Sequence, residues 1–349
     1  MAEDVENDRG RATDAVRWIA QCETFVTADG HRVAFRRRGS GPAVLLLHGF
    51  PTWSYDYAAV AADLAQDHQV VTLDFLGYGA SDKPRKHSYS VPESADVVEA
   101  MVSVLGLDRL HLVMHDYGGI VGQELLDRHR RGALEFGIAA VTVLNCVIVY
   151  SAYRPARVQK LLIMPVVGRL VAARNTAGRL RAGLDRVRGN AKLTDSEFEN
   201  LWFGITRQHG HTLAHRLIRY NAERELHYRR WEAALQAWQG PLSLVWGQAD
   251  PVSGHHVLER AREVLPQAIV VALDGVGHFP SRSLRKQWHP PSGRGADATR
   301  LRHGVPHAIR AMRECAPPSA DTLLARRQPH RVIESPRHRV HRCVRVQSC

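Results

Sequence analysis

Four short segments place reactive side chains or backbone amides directly after apolar runs. They are HGFP (48–51), HDYGG (115–119), GQADPV (247–252) and GVGHFP (275–280). In the second, LHLVMH runs into Asp116-Tyr117-Gly118-Gly119. That is the strand–turn–helix pattern of a nucleophile elbow, with Asp116 where a serine normally stands. Small residues after the turn relieve crowding and let the next helix pack closely. A carboxylate in that place sits at a helix N-terminus, which keeps it ionised and available to attack. Taken alone, the pattern also fits an Asp that only caps the helix. Asp250 and His278 follow in the order nucleophile, acid, histidine. The amides of Phe50 and Tyr117 are the candidate oxyanion donors. Singly, HG describes a plain turn, Asp250 a loop carboxylate and His278 a structural or surface imidazole. The expectation rests on the four together, in order.

The elements around these segments account for their position. HRVAF (31–35), AVLLLH (43–48), QVVTLD (69–74), LHLVMHD (110–116), AVTVLN (140–145), LSLVWG (242–247) and AIVVALD (268–274) read as strands. Most are unbroken Val/Leu/Ile, as expected for strands buried on both faces of a parallel sheet. Segments 93–105 and 118–130 carry apolar residues at helical spacing between strands. The alternation predicts an α/β fold, mostly parallel sheet flanked by helices, with right-handed crossovers. Ligands of such sheets bind beyond the carboxyl ends of the strands, where the four segments lie.

Between residues 149 and 239 the strand pattern stops and helical stretches replace it. One of them, LTDSEFENL, opens with Thr194 and, three residues on, Glu197, a capping-box start. This region is expected to be an inserted helical lid over the site. Residues 151–238 hold 16 basic and seven acidic side chains, which fit either solvated outer faces or an anion-attracting mouth. The division is therefore an N-terminal extension (1–25), a first core part (26–148), the lid (149–239), a last core part (240–281) and a tail (282–349).

Bulk properties exclude several classes. Of the +12 formal charge, residues 282–349 account for +11, from 14 Arg and one Lys against four acids. The other 281 residues carry 32 basic and 31 acidic groups, so the folded body has no nucleic-acid-like charge. A nucleic-acid binder would rest on the tail alone. The tail is Arg-, Pro- and His-rich without clear periodicity, which fits either a disordered basic arm or translation in a shifted frame. No apolar run is long enough to span a bilayer. The start, MAEDVENDRGRATD, is acidic and unlike a secretory signal. Five irregularly spaced cysteines form neither a disulfide framework nor a zinc site. A cytoplasmic setting, with no metal or cofactor, is the default expectation.

The stretch LLHGFPTWSYDY…VVTLDFLGYGASDKP…YS followed by HDYGG resembles the epoxide hydrolase and haloalkane dehalogenase branch of the α/β-hydrolases. Within it, the chain looks closest to the mesoderm-specific transcript-like hydrolases. The resemblance covers about residues 30–281. It implies the α/β-hydrolase fold, Asp116 as nucleophile, His278 as base, Asp250 as its acid partner, and the amides of Phe50 and Tyr117 as oxyanion donors. It also makes GYG (77–79) a family loop rather than a dinucleotide fingerprint. His115, His255 and His256 are read as structural or surface groups.

An Asp nucleophile attacks an sp³ carbon bearing a leaving group and forms an alkyl ester, which a His-activated water then hydrolyses. The partners implied are a small-molecule substrate and water. Dehalogenases of this branch usually carry Asn after HG and Trp after the nucleophile; here those positions are Phe50 and Tyr117. Epoxide hydrolases use lid tyrosines as proton donors, and Tyr153 and Tyr220 are the candidates. Epoxide hydrolysis of a small apolar substrate is the leading expectation. Haloalkane dehalogenation and a catalytically silent interaction protein on the same scaffold are the alternatives.

Overall fold

A computed structural model describes residues 13–282 and a two-residue strand, Val346–Gln347. The expectations made for the rest of 283–349, and for 1–12, lie outside the described residues. The strands are β1 (Glu23–Val26), β2 (Arg32–Arg38), β3 (Ala43–Leu47), β4 (Gln69–Leu73), β5 (Arg109–His115), β6 (Gly137–Leu144), β7 (Leu242–Gly247), β8 (Ile269–Leu273) and β9 (Val346–Gln347). They form one sheet in the order β8-β7-β6-β5-β3-β4-β2-β1-β9. Neighbours from β8 to β4 run parallel, while β2, β1 and β9 pair antiparallel at the other edge.

Every residue of β3 and β7 is buried, and β5 and β6 are buried except at their first residues. Their unbroken apolar composition follows from helices on both faces. Among these are α1 (Thr13–Ile19), α2 (Ala58–Leu64), α3 (Val91–Val104) and α4 (Tyr117–Arg130). Helix α3 starts at a complete capping box, in which the Ser90 side chain accepts from the Glu93 amide and the Glu93 carboxylate accepts from the Ser90 amide. Helix α4 packs on α3 and over β3, β5 and β6.

The expected lid region is helical throughout: α5 (Arg157–Ile163), α6 (Pro165–Ala173), α7 (Ala177–Val187), α8 (Asp195–Thr206), α9 (Ala214–Leu217) and α10 (Tyr220–Gln236). Thr194 and Glu197 close the expected capping box at the start of α8. The last core helix, α11 (His255–Val264), precedes β8. No helix of the described residues is long and apolar enough to cross a membrane.

The limit drawn at residue 25 falls inside β1, and residues 13–25 are built into the fold. Trp18 of α1 is buried beneath the Arg36 guanidinium, 4.3 Å from its ring, and the Ala15 amide donates to Asn200 Oδ1 of the lid at 2.7 Å. ETFV is too short to show alternation, with one of its four residues fully buried.

Candidate active site

Strand β5 ends at His115, and the chain turns into α4 through Asp116, whose φ of 47° and ψ of −109° lie in a region that non-glycine residues rarely occupy. Such a conformation costs about 1–3 kcal/mol and persists only where surrounding packing imposes it. That packing is visible in two glycines. A Cβ at Gly118 would come within 2.4 Å of the Leu47 carbonyl oxygen, and one at Gly49 within 2.7 Å of the Asp116 Cβ. The Gly118 amide donates to the His48 carbonyl at 2.9 Å, tying the end of β3 to the start of α4.

The four segments converge. The Phe50 amide donates to Asp116 Oδ1 at 2.8 Å. Tyr117 is the first residue of α4, so its amide has no carbonyl partner within the helix. The loop after β8 carries His278, with Nε2 3.5 Å from Asp116 Oδ2 and Nδ1 2.7 Å from Asp250 Oδ2. The His278 amide donates to the Val187 carbonyl at 2.7 Å and the Gly277 amide to the Arg188 carbonyl at 3.1 Å. The end of α7 thereby clasps the histidine loop.

Asp250 is buried and its carboxylate is fully engaged. Its Oδ1 accepts from the Val252 amide at 2.8 Å. Its Oδ2 accepts from Ser253 Oγ at 2.6 Å and Asn145 Nδ2 at 3.1 Å, besides facing His278. Asn145, the residue after β6, also bridges to β7, donating to the Gly247 carbonyl at 2.9 Å and accepting from its amide at 2.6 Å.

These contacts set the charges. Burial pushes the Asp116 carboxyl up, but the hydrogen bond and charge of His278, with smaller help from His115 and the Phe50 amide, hold it at about 2. Burial disfavours the His278 imidazolium, yet the Asp250 and Asp116 carboxylates outweigh it and raise His278 well above its usual range. The resting pair is therefore carboxylate and imidazolium. His115 goes the other way: burial, then the charge of His278, lowers it to about 4. Its neutral Nε2 lies 2.7 Å from the His278 carbonyl, so it holds the loop and does not compete as a base. His48 is likewise lowered by burial and packs against the rings of Phe75 and Tyr78.

The two lid tyrosines separate. Tyr220, at the start of α10, reaches Asp116, its hydroxyl donating to Oδ1 at 3.4 Å. Burial, then the Asp116 charge, raise its phenol well above 10, so it keeps its proton at neutral pH. Tyr153 is not hydrogen-bonded to Asp116, and its buried hydroxyl has no hydrogen-bond partner among the described residues. The Arg224 guanidinium lies over both rings, 4.8 Å from Tyr153 and 5.6 Å from Tyr220. Asn145, Ser253 and Arg224 had no signal in the sequence beyond residue type. His255 is exposed and His256 half-buried.

A cavity of about 840 Å³ opens onto Asp116 and His278 from beneath the lid. Phe50, Leu162, Val171, Leu184, Val252 and Phe279 contribute its apolar wall, and Arg154, Arg157, Arg174, Arg179 and Arg186 approach its outer part. Among the described residues no group of three or more His, Cys, Asp or Glu could hold a metal ion.

Comparison with known proteins agrees with the fold. Residues 42–281 match the α/β hydrolase fold family. The chain is 37% identical over 281 residues to "Putative hydrolase LipZ" of Mycobacterium tuberculosis, covering 79% of this chain and 93% of that protein. It is also 37% identical over 272 residues to the human mesoderm-specific transcript homolog protein, covering 73% and 80%. Among solved structures, haloalkane dehalogenase DbeA from Bradyrhizobium elkani USDA94 superposes with a TM-score of 0.64 at 20% identity, covering 84% of this chain and 98% of that one. Epoxide hydrolase VrEH1 from Vigna radiata gives 0.60 at 20% identity, covering 76% and 94%. The latter two are likenesses of fold. With most of its folded length matched, the chain belongs to the α/β-hydrolase fold family.

Proposed function

We propose that the protein is a hydrolase with Asp116 as nucleophile, acting through a covalent alkyl ester, and that its reaction is the hydrolysis of an apolar epoxide. The observation that carries this reading is Asp116 held on a strained elbow, with the Phe50 amide at 2.8 Å on one oxygen and His278 at 3.5 Å from the other. A carboxylate held near 2 is ionised at every physiological pH. Asp116 attacks the epoxide carbon. The new C–O bond forms as the ring C–O bond breaks, and the alkoxide takes the Tyr220 proton. Tyr220 is the favoured donor because it alone of the two lid candidates contacts the nucleophile.

Esterification removes the negative charge of Asp116, and with it one of the two carboxylates that sustain the His278 imidazolium. His278 then gives up its proton more readily, and that proton returns through solvent to the Tyr220 phenolate; the neutral imidazole takes a proton from water. The hydroxide adds to Asp116 Cγ, and the amides of Phe50 and Tyr117 stabilise the oxyanion. Collapse expels the diol alkoxide, which takes the proton from His278, and the regenerated Asp116 carboxyl gives its proton back to His278. Asp250 keeps the imidazole oriented with Nδ1 toward the carboxylate. Halide displacement would use the same first step, but Phe50 and Tyr117 bring no side-chain N–H to a departing halide.

The test is turnover of styrene-type epoxides beside bromoalkanes, wild type beside Asp116→Ala. Diol formation that disappears in Asp116→Ala is expected. Equal turnover by the variant, or bromide release without diol formation, would overturn the epoxide reading.

A further inference from the structure

Nine large apolar side chains are exposed among the described residues, and five of them, Val158, Leu161, Met164, Val166 and Leu170, fall within thirteen consecutive positions along α5, α6 and the residue that joins them. Val166 is 73% exposed and Val158 52%. Scattered apolar residues on a surface are ordinary, but a contiguous group at the rim of a cavity marks something that covers it. The flanking charge is one-sided. Residues 151–187 hold eight basic side chains and a single acid, Asp185. Among the described residues only Arg181 of the eight is in an ion pair, with Asp195 at 2.6 Å. Arg157, Lys160, Arg169 and Arg174 are exposed on the same two helices or just beyond them. Leu162 and Val171, on those same helices, line the cavity that leads to Asp116.

From this juxtaposition we propose that α5 and α6 are a docking surface for an anionic lipid bilayer, with the cavity mouth facing the membrane. The apolar residues enter the headgroup–acyl boundary and the surrounding Arg and Lys side chains meet lipid phosphates. Two other covers are disfavoured by charge. A second copy of the chain would bring eight like charges against eight across a twofold axis. The chain's own residues 282–349 carry +11 and would be repelled from the same face. A lipid surface answers both the apolar and the cationic character. It would also let an apolar substrate pass from the bilayer into the cavity without crossing water, whichever bond Asp116 attacks.

The experiment is co-sedimentation of the full chain with vesicles of phosphatidylcholine alone, and of phosphatidylcholine mixed equally with phosphatidylglycerol. Binding is expected only to the mixed vesicles. Two variants with unchanged thermal melts separate the contributions. Val166→Asp with Leu170→Asp should weaken binding by more than about tenfold, since two apolar anchors are lost. Lys160→Gln with Arg169→Gln should weaken it by roughly tenfold or more, at about one order of magnitude for two phosphate-facing charges. Salt-sensitive binding that is unchanged in both variants would place the contact on the basic tail and overturn the proposal. So would the absence of binding to either vesicle. A wild-type dimer that the Val166→Asp, Leu170→Asp variant turns into a monomer, seen by light scattering, would assign the patch to a second copy and equally refute it.

Discussion

Replacing His278 with Gln should split the reaction into its two halves. Alkylation needs Asp116, the Phe50 amide and a proton for the leaving group; none of these depends on a base at position 278. Hydrolysis of the ester needs a base beside Asp116 Cγ, and His278 Nε2, 3.5 Å from Asp116 Oδ2, is the group there. Loss of a positioned general base costs roughly 10²–10⁴-fold in rate. Steady-state turnover should fall by that factor while one equivalent of product precursor still forms. The chain should then gain the mass of one substrate, and proteolysis should locate it on the peptide containing Asp116.

The same substitution also acts on the nucleophile. His278 is the largest influence lowering the Asp116 carboxyl, and without it burial pushes that carboxyl back up. Return from about 2 to the ordinary 3.8 alone corresponds to roughly 2 kcal/mol of lost anion stabilisation. The rate of adduct formation in His278→Gln should therefore show an acid limb at higher pH than the first step of the wild type. Stopped-flow or quenched single turnovers across mildly acid pH measure it. Turnover lost with no adduct, or an adduct on a residue such as Cys146, would refute the reasoning.

Tyr220→Phe should lower epoxide turnover about 10²-fold or more and leave alkylation by a bromoalkane nearly unchanged, because a halide needs no proton; parallel assays of the two substrates on one preparation check this. Asn145→Ala should destabilise the protein by about 1–3 kcal/mol, since it frees the buried amide and carbonyl of Gly247 and one acceptor site of Asp250, and a denaturant melt reads it. Arg282→Ala leaves the buried Asp56 carboxylate without its 3.0 Å partner and should cost about 3 kcal/mol or more, seen as a lowered Tm. His278 is raised in the folded protein, so its contribution to stability is complete below its usual 6.5 and is lost as pH climbs through the alkaline range. Asp116 is lowered, so its contribution holds above 3.8 and is lost as pH falls toward 2. Urea melts at neutral and alkaline pH should show this alkaline decline in wild type and a weaker one in His278→Gln.

What could be seen from the sequence divides along a physical line. Asp116, Asp250 and His278 each lie shortly after the carboxyl end of an apolar strand, and strand ends are set by local composition. Their convergence then follows from parallel pairing alone. Asn145 is different. It matters because β6 and β7 pair with Leu144 opposite Val245, which brings the residue after Leu144 beside Gly247, and no local pattern encodes that register. The choice between Tyr153 and Tyr220 depends on how α10 is rotated against α4, which spacing within either helix leaves open. Strand β1 was missed because four residues with one fully buried side chain carry no period.

Charge was partly hidden for a similar reason. Outside the tail the basic and acidic residues nearly cancel. The cancellation is an average over elements that face different surroundings. Acids stand without bases on α3 (Glu93, Asp96, Glu99) and α8 (Asp195, Glu197, Glu199), and Arg128 of α4 engages Asp96, Glu99 and Glu124. Among the described residues the first three lid helices carry cations of which only Arg181 is in an ion pair, with apolar side chains in the open. That surface lies by the cavity that leads to the only strained carboxylate among the described residues. The two proposals thus rest on features at different scales: one backbone torsion at Asp116, and the charge asymmetry of the helices above it.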